Sequence, residues 1–351
     1  MAPAEETERL LRAALELQPE YPDARIDLAG LLSNLGRPEE AAEHLRYTIE
    51  TSPESIAGMS AYLMSLNYEP GLGADEVAAE HRRIGSMIVE RGGSHPPLAL
   101  RVKSYDPERR LRIGYLSPDF RAHSCAHFIE PLFAARDRSQ YELFAYSTTP
   151  REDNVTTRLR GLTDHWRYAR FIEDPVLAGM IVEDEVDILV DMAGHTAGGR
   201  PALLAMRPAP LLFTWLGYPN TTGLTTVDYR VTDIVADPQD AGDRRCVERL
   251  LRLPGGFLCF RPHTDAPPPG PAERSGAIVF GCFNTALKLN RKVAELWTRI
   301  LLAVPGSRLC LRALQFQHPG AVDAARHLFS TAGLESTRLQ LSPWRSTVPE
   351  G

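Results

Sequence analysis

At 351 residues, 43% of them hydrophobic and 24% charged, the chain is long enough for two or three domains and for a sizeable buried core. A formal charge of -6 and an isoelectric point near 6.0 argue against nucleic acid as a partner, because phosphate binding needs a concentrated basic surface. The start is acidic (Glu5, Glu6, Glu8), and no run approaches the ~18 uninterrupted apolar residues of a membrane span. The expectation is therefore a cytoplasmic chain with no membrane contact. Its five cysteines (Cys125, Cys246, Cys259, Cys282, Cys310) lack CxxC spacing and read as reduced, mostly buried thiols.

The first segment, residues 1–95, repeats with a period of 34. Glu16-Leu17-Gln18-Pro19 returns as Glu50-Thr51-Ser52-Pro53, and Leu11 and Leu15 return as Leu45 and Ile49. The pattern predicts helices over 5–19, 23–35 and 39–50, with a turn at Gly36-Arg37-Pro38. Ala29, Gly30 and Ala42 are small residues that would let paired helices approach. This resembles a tetratricopeptide repeat, present as about one and a half units. So short an array is expected to lean on the next domain, either as a docking surface for protein substrates or as a structural collar. Helical patterns continue over 60–68 and 74–91, where His81 reads as a histidine at the edge of the core. Ser94-His95-Pro96-Pro97 marks a boundary.

The second segment, residues 100–265, opens on the stretch Leu111–Phe128, whose first half is a short apolar run of the kind that forms a buried parallel strand. A loop carrying Asp119, His123 and His127 follows, then a helix in which Phe128/Leu132 and Ile129/Phe133 recur at helical spacing. A carboxylate and two imidazoles after a strand suit acid–base chemistry. The same residues would equally tie down a turn (Asp119) and pack on a helix (His127). Further strands are expected at 141–147, 186–193, 211–216 and 229–232, with helices near 154–162 and 175–183. Alternating strands and helices imply a parallel sheet. Gly194-His195-Thr196-Ala197-Gly198-Gly199-Arg200 places glycines where backbone N–H groups would approach an anion. Leu216-Gly217-Tyr218-Pro219-Asn220-Thr221-Thr222-Gly223, after Trp215, suits either a sugar needing flat apolar contact or a tight turn.

The third segment, residues 273–351, follows the proline-rich stretch 266–272. It is expected to hold strands at 278–284, 308–311 and 339–342 and helices at 291–304 and 321–329, about half of a doubly wound domain.

Taken in order, GYLSPDFRAHSCAHF, ILVDMAGHTAGGR, Met206-Arg207-Pro208-Ala209-Pro210, WLGYPNTTG, DYRVTD and Leu251-Arg252-Leu253-Pro254 resemble the catalytic region of the bacterial protein O-linked N-acetylglucosamine transferases with tetratricopeptide repeats. The resemblance implies an α/β fold: a helical repeat segment followed by a GT-B-like pair of Rossmann-type lobes, the second incomplete here. It also implies inverting transfer of N-acetylglucosamine from UDP-N-acetylglucosamine to protein Ser or Thr hydroxyls. Asp119, His123 and Lys288 would be catalytic, Lys288 toward the diphosphate. Cys125, His127, His195, Thr196, Leu216, Gly217, Tyr218 and Pro219 would bind substrate, as would Asn284 and Thr285 near the uridine. No metal or other cofactor is expected, and no DxD pair is present. Three departures from the pattern are Met59-Ser60, where many relatives have His-Ser, Asn220, where glycine is usual, and Cys125, at a position that often contacts the acetamido group of the sugar. A non-catalytic interaction protein with a decayed transferase domain is the alternative, since much of the family's uridine and diphosphate site lies beyond the last residue.

Overall fold

The computed structural model describes residues 4–92, 106, 108–261 and 276–344. The Ser94–Pro97 break and the proline-rich stretch 266–272 lie outside them. The chain forms two compact units, one of residues 72–267 and one of residues 1–71 with 268–351.

The 72–267 unit begins with helix α5 (Ala74–Gly92) and contains a seven-stranded sheet. Its strands are β1 (Leu111–Ser117), β2 (Tyr141–Ser147), β3 (His165–Tyr168), β4 (Ile188–Asp191), β5 (Leu211–Thr214), β6 (Tyr229–Thr232) and β7 (Arg249–Arg252). Every pairing is parallel, in the order β3-β2-β1-β4-β5-β6-β7. Strand order reverses between β1 and β4, and in open sheets of this kind ligands bind outside the carboxyl ends of the strands at that reversal. The connecting helices are α6 (Ala126–Ala135), α7 (Asn154–Gly161), α8 (Asp174–Glu183), α9 (Pro201–Ala205) and α10 (Ala241–Arg245). Ile129 and Phe133, one helical turn apart on α6, are fully buried against Tyr115, Leu143 and Val190 of the sheet. Each such side chain stabilises the unit by about 2 kcal/mol. Asp153 starts α7 by accepting from Val155 and Thr156 N–H, a capping box.

Two strands carry no apolar run in the sequence, β3 (His-Trp-Arg-Tyr) and β7 (Arg-Leu-Leu-Arg). Both are edge strands, where charged residues face solvent and the hydrophobic signal is weak.

The other unit joins α1 (Ala4–Leu17), α2 (Pro22–Asn34), α3 (Pro38–Thr51) and α4 (Ile56–Leu66) to β8 (Val279–Cys282), α11 (Arg291–Ala303), β9 (Arg308–Ala313), α12 (Pro319–Thr331) and β10 (Leu339–Pro343). Leu28, Ala29, Leu32, Ala41 and Leu45 form the helical core. Gly30, in contrast, is exposed with open space around its α-carbon, so it does not bring the helices together. Met59 is fully buried in α4. Within its own unit the repeat segment leans on an α/β partner, the C-terminal piece. A Cβ on Gly36 would come 2.8 Å from the Ala324 methyl, Gln315 donates to the Asn34 side-chain carbonyl at 3.1 Å, and Lys292 donates to the Pro70 carbonyl at 2.9 Å. Strands β10, β9 and β8 form a parallel sheet of their own around Leu309, Leu311 and Phe329. Among the described residues no helix is long and apolar enough to cross a membrane, and all five cysteines are free thiols.

Candidate active site

Three loops at the carboxyl ends of the adjacent strands β1, β4 and β5 touch one another. The first, Pro118–Cys125, turns sharply because the Ser117 hydroxyl accepts from the Asp119 N–H at 3.0 Å. Asp119 is buried, and its carboxylate lies 3.5 Å from His123 Nδ1 and 3.6 Å from the Arg121 guanidinium. Burial raises the Asp119 carboxyl, with His123 and Arg121 opposing, and lowers the His123 imidazole, with Asp119 opposing. The Cys125 N–H donates to His123 Nδ1 at 3.3 Å, so this imidazole is neutral near pH 7 and is able to take up a proton. Burial pushes the Cys125 thiol up to about 12, which makes it a poor nucleophile. Ligand-type atoms of Asp119, His123 and Cys125 lie within 4.8 Å of one another, but a thiol held protonated is a poor ligand for a cation. His127 sits half-buried in the first turn of α6.

The second loop follows Asp191, a fully buried carboxylate at the end of β4. It accepts from Gly194 N–H at 2.8 Å, Ala193 N–H at 3.2 Å and the Thr214 hydroxyl at 3.3 Å, and burial pushes it up to about 6. Two of the glycines here are required by internal packing. Gly194, at a φ of 55°, backs onto Tyr218, where a Cβ would sit 2.5 Å from the tyrosine's own. Gly198, at 83°, backs onto Pro118. The helix that follows, α9, has five residues and starts on the buried Pro201. Thr196 donates to the Ala193 carbonyl at 2.8 Å. His195 is buried, donates through Nε2 to the Thr222 carbonyl at 2.7 Å, and is pushed down to about 4 by burial.

The third loop follows β5. Trp215 donates its indole N–H to the Phe257 carbonyl at 2.8 Å and is buried, as is Tyr218. Neither ring therefore offers a flat face to a sugar, which corrects the expectation from composition. The surface of this loop consists of half-buried Leu216, Gly217 and Asn220 and exposed Pro219. The Tyr218 hydroxyl meets His81 Nε2 at 2.6 Å. His81 is fully buried, not at the edge of the core. Glu248, also buried, accepts from the Thr221 hydroxyl at 2.6 Å, the Thr222 N–H at 2.7 Å and the Thr222 hydroxyl. Arg121, His81, Asp191 and Glu248 were not singled out from the sequence as site residues. Only Asp191 had a usable signal, its place at the end of an apolar strand run.

In the other unit, β8 runs into Asn284 and Thr285 and then a 3-10 turn, Ala286–Lys288. Thr285 caps that turn, accepting from Leu287 N–H at 3.4 Å, and the Ala286 N–H donates to the Gln315 side chain at 3.2 Å. A cavity of about 160 Å³ opens here, lined by Asn284, Thr285 and Lys288 on its polar side and by Trp297 and Phe316 on its apolar side. Lys288 and Asn284 are exposed, free of the packing that would turn them away from a ligand. An apolar wall with an ammonium and an amide at its rim suits a flat, anionic ligand.

The family model of glycosyl transferase family 41 matches residues 76–262, more than half of the chain and all three loops. The chain belongs to glycosyl transferase family 41. A tetratricopeptide repeat model matches residues 4–57. Among curated relatives, the chain is 40% identical over 302 residues to a probable UDP-N-acetylglucosamine–peptide N-acetylglucosaminyltransferase SPINDLY of Arabidopsis thaliana, covering 83% of this chain and 32% of that one. It is 29% identical over 250 residues to the SEC protein of the same plant, which carries the same probable activity in its name, covering 67% of this chain and 26% of that one. The chain thus spans about a third of the length of the curated relatives it matches. A solved structure, a mutant of the Thermobaculum terrenum O-GlcNAc transferase, aligns with a TM-score of 0.87 at 34% identity, covering 96% of this chain and 64% of that one. The family 41 match ends before Asn284 and Lys288, whereas the Thermobaculum alignment extends over nearly the whole chain.

Proposed function

We propose that this family 41 chain is the catalytic part of an inverting glycosyltransferase that moves N-acetylglucosamine from UDP-N-acetylglucosamine to Ser or Thr hydroxyls of proteins. The observation that carries the reading is the pairing of buried Asp119 with half-buried His123, held at the strand-order reversal of a sheet that the family match spans. It is supported by the names of the relatives, which state a nucleotide sugar donor and a peptide acceptor.

In this reading the acceptor hydroxyl loses its proton to the neutral His123 imidazole or to Asp119, directly or through one water. The hydroxyl oxygen attacks the anomeric carbon from the face opposite the diphosphate, and UDP leaves with the electron pair of the broken bond. The Lys288 ammonium offsets the charge that develops on the diphosphate, and the cavity beside it takes the base. Leu216, Gly217 and Pro219 line the sugar, with Cys125, His127, His195 and Thr196 holding the surrounding loops. The reading uses no metal, because Lys288 supplies the charge a cation would. The five free thiols suit a reducing compartment such as the cytoplasm.

The test incubates the chain with a Ser/Thr-containing peptide and, in parallel, UDP-N-acetylglucosamine and a panel of other UDP- and GDP-sugars, with and without EDTA. Peptide mass and anomeric NMR are the readouts. Transfer of N-acetylglucosamine in the β configuration, unaffected by EDTA, is expected. Preference for another sugar would overturn the donor assignment, loss of transfer in EDTA the metal-free step, and absence of transfer from every donor the enzyme reading.

A further inference from the structure

His81 donates from Nδ1 to the Val77 carbonyl at 2.7 Å, and a carbonyl only accepts. In the neutral ring Nε2 therefore holds the lone pair, and the Tyr218 hydroxyl donates to it at 2.6 Å. A buried imidazole costs desolvation that an apolar side chain of the same size would not, so a helix built only for packing has no reason to place one here. The bond joins α5 to the loop after β5 across 137 positions of sequence.

That loop is strained. Leu216 has a φ of 79°, and the Gly217 N–H reaches back to the Trp215 carbonyl at 3.1 Å, the geometry of a γ-turn that branched residues rarely adopt. Strain of this kind persists only when the surroundings over-determine the backbone, and it concentrates where a ligand is held. The surroundings are visible on each side. A Cβ on Gly217 would lie 2.0 Å from the Met192 carbonyl oxygen, a Cβ on Gly223 would lie 1.9 Å from the His81 carbonyl oxygen, and Glu248 grips Thr221 and Thr222. Between those fixed ends, Tyr218 follows the strained residue by two positions and is seated between the His81 and His195 rings, with centroids 5.8 and 5.2 Å away.

We propose that His81 is a positioning residue: by accepting the Tyr218 hydroxyl it holds the Leu216–Pro219 turn in the strained shape that receives the sugar of the donor. This rests on the transferase reading above. Breaking the bond lets the turn relax, so only a fraction of molecules present the competent loop. Donor affinity falls by that fraction, while chemistry in the molecules that bind is unchanged.

The experiment compares the wild-type chain with His81→Phe, Tyr218→Phe, the double variant and His81→Gln, whose side-chain carbonyl is able to accept from the tyrosine. Tyr218→Phe removes a single oxygen and keeps the fold testable if His81→Phe does not fold. Hydrogen–deuterium exchange over residues 215–223 and the donor KM and kcat are measured. Expected are faster exchange confined to that segment, a donor KM raised about five- to twentyfold with kcat within twofold, no further loss in the double variant, and partial rescue by His81→Gln. Unchanged exchange in Tyr218→Phe overturns the proposal, as does faster exchange with unchanged KM, or additive losses in the double variant. If the wild-type chain transfers no sugar, the transferase reading fails, and the exchange result alone still decides whether this bond holds the loop.

Discussion

Gly85 and Gly223 press together so closely that a Cβ built on Gly85 would lie 2.0 Å from the Gly223 carbonyl oxygen. Helix α5 thus lies backbone to backbone on the end of the loop after β5. Gly85→Ala is expected to destabilise the 72–267 unit by about 1–3 kcal/mol, seen as a melting temperature lower by several degrees. Gly179→Ala, in the interior of α8 with open space around it, is the control and is expected to be neutral or stabilising by up to ~1 kcal/mol. Equal melting of the two variants would show that the contact does not constrain the fold.

Glu248 accepts from two threonine hydroxyls and one N–H in the same loop. Glu248→Ala leaves those buried donors without it and is expected to cost on the order of 2–4 kcal/mol in chemical denaturation. Double substitution of Thr221 and Thr222 by Val, combined with Glu248→Leu, should recover part of the loss. A single Glu248→Ala variant as stable as wild type would remove the carboxylate from the account of the loop.

Asp191 and His195, four residues apart, tie stability to pH with opposite signs. Asp191 is raised to about 6, so between its unfolded value near 3.8 and pH 6 the folded chain binds more protons, and acidification favours folding. His195 is lowered to about 4, so between pH 6.5 and pH 4 the unfolded chain binds more protons, and acidification disfavours folding. Each contribution is on the order of a few kcal/mol, and they overlap between pH 4 and 6. Asp191→Asn keeps the carbonyl acceptor and removes the first contribution. Urea unfolding from about pH 7 to about 4.5 should therefore show a steeper loss in this variant than in wild type, and parallel curves would refute the assignment.

Lys288 is exposed at the rim of its cavity, so Lys288→Ala is expected to leave the melting temperature within about 1 °C while lowering kcat/KM at least about a hundredfold. His123→Ala should lower sugar transfer by a comparable amount. Wild-type turnover in either variant would exclude that residue from the chemistry.

The segments that read clearly from the sequence are those whose burial is local. The apolar runs Tyr141–Ser147 and Tyr229–Thr232 are strands with those bounds, the first half of the stretch from Leu111 is the strand Leu111–Ser117, and the 34-residue period places the first three helices. The Asp119–His123 pair was legible for the same reason, because a few residues of one loop carry it. Trp215 and Tyr218 misled because residue type does not say which face of a ring is covered. The glycine loop after β4 shows the same ambiguity, since glycines that approach a ligand and glycines that approach a neighbouring residue look alike in sequence.

By itself the sequence determined the repeat helices, the alternation of strand and helix, and one loop that carries a carboxylate beside an imidazole, because periodicity and short-range turns express themselves over a few residues. Only the tertiary structure decided which helix backs the loop after β5, that His81 meets Tyr218, and that Glu248 holds Thr221 and Thr222. Those contacts join residues tens to more than a hundred positions apart. They exist because α5 packs on the loop after β5 and the sheet brings the start of β7 near that same loop, an arrangement that backbone pairing and packing create and that no local pattern encodes.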